Sequence, residues 1–127
     1  MKALLLIDHG SKKVEANEML GAVAEMVAEM AGTDVIVGYA HMELAEPTIE
    51  QGIADCVRRG ATEIIAFPYM LSPGKHSTRD IPRLVAEAAA QYPAVTCTVT
   101  PAFGIHEKLG EVVLERAGVL PGVAAKR

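Results

Sequence analysis

The chain has 127 residues and a formal net charge of −4; half of it is hydrophobic, only 4% is aromatic, and it has no tryptophan. That length suits one domain with a self-sufficient core, while the acidic balance excludes a basic nucleic-acid face and the scarcity of rings excludes a base-stacking platform. Cys56 and Cys97 form no CxxC pair, so they read as small buried hydrophobes rather than a zinc or redox motif.

No apolar run reaches the ~20 residues of a membrane span. The opening MKALLLID meets an acid too soon for a signal peptide. A soluble, cytoplasmic protein is expected, with one domain over 1–120 and an irregular tail over 121–127. Along the chain, the Leu/Ile run over 2–7 suits a strand buried on both faces. A helix follows over 12–31, with Val14, Leu20, Val23, Met26, Val27 and Met30 as its apolar stripe and Gly32 as its stop. The second strand is expected over 34–40. Thr48 then caps a helix reaching Arg59, with Glu50 and Gln51 in its first turn and Gly60 behind it.

The third strand, EIIAFPYM, spans 63–70, and Pro68 marks where its pairing ceases. A helix over 77–92 is expected to become regular around Pro82, since proline is tolerated only in a first turn. A fourth strand over 95–100 and a helix over 106–117 complete the pattern. Four strand–helix alternations with right-handed crossovers predict an α/β fold: a four-stranded parallel sheet in a three-layer α/β/α sandwich.

Each of the four histidines follows a strand: His9 the first, His41 the second, His76 the third and His106 the fourth. In a parallel sheet these positions share one edge, the carboxyl ends of the strands, where open α/β folds bind ligands. His106, in FGIHEKLG, also fits a helix N-terminus. His41, directly before Met42 and Glu43, can face either way. His9, in a Gly-Ser turn, and His76, in the loop LSPGKHSTRD, are the stronger candidates. The loop HMELAEPT adds Glu43 near the strand end, and Glu46, which is most simply part of a helix start. Two imidazoles and one carboxylate suit Fe²⁺, Co²⁺ or Ni²⁺ and also proton transfer near neutral pH. Lys12, Lys13, Lys75, Arg79 and Arg83 line the same rim of an otherwise acidic chain. Cations gathered at one mouth attract a multiply anionic ligand.

The segments LLLIDHGS, ELAEPTIEQGI and FPYMLSPGKHSTRDIP resemble the class II tetrapyrrole chelatases, above all the small single-domain sirohydrochlorin chelatases. The resemblance runs from Lys2 to about Ala117. It implies insertion of Co²⁺, Fe²⁺ or, in some archaeal forms, Ni²⁺ into sirohydrochlorin, feeding cobalamin or sirohaem synthesis. It implies no organic cofactor and no nucleotide, and a homodimer that builds its cleft between subunits. The family's active-site histidines fall on His9 and His76 and its acid on Glu43, as catalytic groups and metal ligands. On this reading Ser11, Lys75 and Arg79 meet the macrocycle, and the Asp8 carboxylate either orients His9 or is simply a satisfied acid at the strand end. Tyr69, Met70 and Ser72 stand where the family loop often has larger apolar residues.

Two other readings fit parts of the pattern. Histidine phosphatases carry Arg-His-Gly after their first strand, but here Asp8 stands in place of the arginine and would repel phosphate. A non-catalytic protein that stores or delivers metal could use the same histidine edge. Neither GxxxxGK[ST] nor GxGxxG supports nucleotide chemistry.

Overall fold

The structure, a computed structural model, describes residues 1–72 and 74–119, without the side chain of His76. The tail expected over 121–127 and the loop proline Pro73 lie outside the described residues. Strands β1 (Lys2–Asp8), β2 (Val35–His41), β3 (Glu63–Pro68) and β4 (Thr96–Val99) alternate with helices α1 (Val14–Ala31), α2 (Ile49–Arg58), α3 (Lys75–Ala89) and α4 (Glu107–Ala117). All pairings are parallel, in the order β2-β1-β3-β4. The expected α/β architecture is therefore present. Among the described residues no helix is long and apolar enough to cross a membrane.

β1 is central, and its alternation builds two cores. Ala3, Leu5 and Ile7 face α2 and α3, where they meet Ile49, Ile53, Cys56, Ile64, Ile81 and Val85. Leu4 and Leu6 face α1, where Leu20 and Ala24 are buried with Val37. Full burial of each such aliphatic side chain contributes roughly 1.5–3 kcal/mol. Gly52 lets α2 settle onto the sheet, since a Cβ there would lie 3.0 Å from both Ala40 Cβ and Leu5 Cδ1. α2 starts with a full capping box: Thr48 Oγ1 accepts from Gln51 N, and Gln51 Oε1 accepts from Thr48 N. β2 forms one border of the sheet. There Arg59 donates from Nη1 to the Val37 carbonyl, at 3.1 Å.

Several sequence expectations need correction. β1 and β2 each run one residue further than read, ending on Asp8 and His41. In α1, Val14, Met26 and Met30 are exposed, because only a narrow face around Leu20 and Ala24 meets the sheet. α3 starts at Lys75 rather than becoming regular at Pro82, which lies in its third turn. Proline removes one helical hydrogen bond and clashes with the preceding turn, at about 3 kcal/mol. Pro82 and Thr78 are both exposed, so water can serve the orphaned Thr78 carbonyl. Burial of Ile81, Val85 and Ala88 along the opposite face holds the helix together. α4 buries none of its residues.

Both cysteines are free thiols, Cys56 buried and Cys97 partly buried. Burial is the main cause that pushes the Cys56 thiol up from 9.0 to about 11, with the Asp55 carboxylate adding to it and Arg59 opposing. A thiol whose folded pKa lies above its unfolded value stabilises the fold fully below the unfolded value. That contribution is lost as pH rises from 9.0 towards about 11. Denaturant titrations should therefore show stability falling across this window, and the Cys56→Ala chain should show a shallower fall. Parallel pH profiles for the two would disprove the assignment.

Candidate functional site at the strand ends

The carboxyl ends of β2, β1 and β3 lie side by side. With ~4.8 Å between strands, the segments leaving them start within roughly 10 Å of one another. His9 and Glu43 are exposed in the segments after β1 and β2, and His76 is the second residue of α3 after β3. His76 thus belongs to a helical first turn instead of the expected loop, with Gly74 as N-cap. Its side chain lies outside the described residues. His106 follows the outer strand β4 and caps α4, its Nδ1 accepting from Lys108 N at 3.1 Å. That agrees with its reading as a helix N-terminal residue.

Backbone hydrogen bonds also join the segments that leave β1 and β2. Met42 N donates to Asp8 O at 2.8 Å, and Glu43 N donates to His9 O at 3.0 Å. The backbones carrying the two candidate groups are therefore hydrogen-bonded neighbours. Gly10 makes this approach feasible. Its φ is +88°, and a Cβ there would fall 1.8 Å from the Glu43 carbonyl oxygen. Only glycine adopts this backbone and fits this space. Leu44 follows with φ +71° and an exposed side chain, and Glu46–Pro47 is a cis peptide. Glu46 Oε2 accepts from Gln51 Nε2 at 3.0 Å, which ties it to the start of α2, as its position in the sequence suggested.

Asp8 does not orient His9. Its Oδ1 instead lies 2.6 Å from His41 Nδ1 and accepts from Gly10 N at 3.0 Å. His41, left open by sequence reasoning, is 1% exposed. Ser11 Oγ accepts from Lys13 N at 3.0 Å, and Ser11 N donates to Asn17 Oδ1, so this serine shapes the turn into α1.

Lys12, Lys13, Lys75 and Arg79 are exposed around the edge. Arg79 and Arg83 reach Asp80 Oδ1 at 3.8 and 3.6 Å, and Arg83 also pairs with Glu87. The exposed Arg83–Glu87 pair is of the kind that contributes ~0–1 kcal/mol, whereas the Asp80 carboxylate is largely buried. Between the ends of β3 and β4 and the start of α3 is a recess of about 450 Å³, lined by Pro68, Met70, Ser77, Ile81, Val99 and Pro101. Phe103 stacks edge-on against Phe67 and Tyr69 nearby, each at 5.0 Å. Among the described residues, no three His, Cys, Asp or Glu side chains gather into a metal-holding group.

The molecule is an open parallel α/β domain with histidine, glutamate and cations at its strand ends, the edge at which such folds bind ligands. The chain belongs to the CbiX family, matched over residues 3–119. It is 40% identical over 113 residues to the chloroplastic sirohydrochlorin ferrochelatase of Arabidopsis thaliana, covering 89% of this chain and 50% of that protein. It is 32% identical over 119 residues to a sirohydrochlorin cobaltochelatase of Priestia megaterium, covering 91% of this chain and 37% of that protein. The crystal structure of the sirohydrochlorin chelatase SirB from Bacillus subtilis subspecies spizizenii, in complex with cobalt, superposes with a TM-score of 0.82 at 32% identity. That match covers 92% of this chain and 50% of SirB. The chain thus spans half the length, or less, of these relatives.

Gly10→Ala should destabilise the fold by about 3 kcal/mol, from backbone strain and the clash with Glu43. Urea unfolding measures this directly. A loss below about 0.5 kcal/mol would place the variant among ordinary surface substitutions and show that the two segments are not in close contact.

Proposed function

We propose that this chain is a sirohydrochlorin chelatase that inserts Co²⁺ or Fe²⁺ into the macrocycle as a cytoplasmic step of cobalamin or sirohaem synthesis. The observation that carries this reading is the backbone pairing of the His9 and Glu43 segments beside the β3–α3 junction that bears His76. Family membership and the printed activities of the relatives support it.

The chemistry follows from the residue types. Insertion displaces two pyrrole N–H protons from the macrocycle. A neutral imidazole accepts a proton or offers a lone pair to a borderline divalent ion. His9 and His76 take these two roles in our reading, and Glu43 compensates the positive charge and relays a proton. A site with few protein ligands passes the metal on rather than retaining it. Lys75 and Arg79, with the other rim cations, meet the carboxylates of the macrocycle, and Ser11 offers its hydroxyl at the same edge.

The site is completed, in this proposal, by a second copy of the fold. α4 buries nothing, and Ile105, Val112 and Val113 are exposed on it or beside it. The Arabidopsis thaliana relative and SirB carry about twice this length of chain, consistent with a two-unit assembly.

The test is an anoxic absorbance assay with sirohydrochlorin and Co²⁺, Fe²⁺ or Ni²⁺ in competition. His9→Ala, Glu43→Gln and His76→Ala should each lower kcat by about 10²–10⁴-fold. Parent-like rates in His9→Ala and His76→Ala would refute the roles given. A metal-delivery protein would instead hold Co²⁺ tightly without tetrapyrrole and show no turnover. Sedimentation should give a dimer, and an active monomer would remove the two-copy site.

A further inference from the structure

The Asp8–His41 pair lies outside the chemistry assigned to His9, Glu43 and His76, yet the segments that leave β1 and β2 meet at it. His41 ends β2 directly opposite Asp8, the last residue of β1. Its Nδ1 faces Asp8 Oδ1 at 2.6 Å. A carboxylate only accepts, so with Asp8 ionised the proton sits on Nδ1. The same Oδ1 receives the Gly10 N–H at 3.0 Å, on the far side of His9. On the other flank, the His41 backbone N–H donates to Pro47 O at 2.8 Å, which closes the Glu43 segment back onto its own strand. The His41 ring also meets Tyr39 edge-on, at 5.9 Å between centroids.

Simple packing does not require this arrangement. One step below it in the register the row is wholly apolar, with Ile7 between Ala40 and Pro68. A buried polar pair is costly to desolvate and gains little over an apolar pair of equal shape. What it adds is direction, since a short, charge-assisted hydrogen bond fixes one backbone relative to another.

We propose that His41 is a positioning residue: through Asp8 it sets the spacing and orientation of the backbone segments that present His9 and Glu43. The inference rests on the reading of those two residues as the working groups of the site. Loss of the bond leaves the sheet intact but lets the segments 8–10 and 42–43 separate. A small displacement of reacting groups is enough to slow a reaction strongly.

Two substitutions separate this role from packing. His41→Phe keeps a ring against Tyr39 and removes the donor, whereas His41→Asn keeps a nitrogen donor near the Nδ1 position. In His41→Phe the amides of Gly10, Met42 and Glu43 should exchange with deuterium about tenfold faster, with Ile53 and Ile64 unchanged. Its kcat for Co²⁺ insertion should fall by about 10–100-fold with KM nearly constant, and His41→Asn should recover most of both. Unchanged exchange at the three amides overturns the proposal whatever the activity, and so does faster exchange with parent kcat. A parent chain that inserts no metal overturns the chelatase reading instead, and the exchange data are still read. Should His41→Phe fail to fold, Asp8→Asn, which weakens the bond to a neutral one, must move exchange and kcat in the same direction. Parent values in it overturn the proposal.

Discussion

Backbone hydrogen bonding between the segments that leave β1 and β2 is the constraint on which the candidate site depends. β1 and β2 end at Asp8 and His41, and beyond them the Met42 and Glu43 amides still donate to the carbonyls of Asp8 and His9. Two consequences are forced. Glycine must occupy position 10, because any side chain would occupy the space of the Glu43 carbonyl. The side chains of His9 and Glu43 then leave from backbones tied to each other. Loops normally trade order for variability. Here a short stretch of loop is held by hydrogen bonds at the end of the central strand.

Much of the fold was legible because its signals are local. The unbroken Leu/Ile run of β1 announced a strand covered on both faces, and Thr48 with Gln51 announced the start of α2. What local signals miss is the shape of the surface being covered. Val14, Met26 and Met30 obey the helical period of α1 but project beyond the narrow strip that meets β1 and β2. Pro82 obeys a rule about backbone cost that burial on the opposite face of α3 outweighs. β1 and β2 end one residue later than composition suggests, because Asp8 and His41, loop-like by type, are bonded to each other, whereas β3 ends two residues earlier than expected, at Pro68.

The candidate site was legible in part. Strand–helix alternation brings post-strand residues to one edge, so His9, Glu43 and His76 could be named from topology, and a helix N-terminus accounts for His106. The link between Asp8 and His41 was not legible. It joins residues 33 positions apart through the register of two strands, which one sequence does not reveal. The nearest sequence neighbour, His9, was therefore given the carboxylate that His41 holds.

The guanidinium that Arg59 lays on the Val37 carbonyl has a consequence for association. β2 is an apolar border strand, VIVGYAH, and an open border of that kind is a template for adding foreign strands and growing aggregates. A bulky cation seated on the border's acceptor blocks that template at its middle. At the opposite border, β4 has only four residues, too short to recruit a neighbour. Copies of this chain are thereby steered away from zipping sheet to sheet.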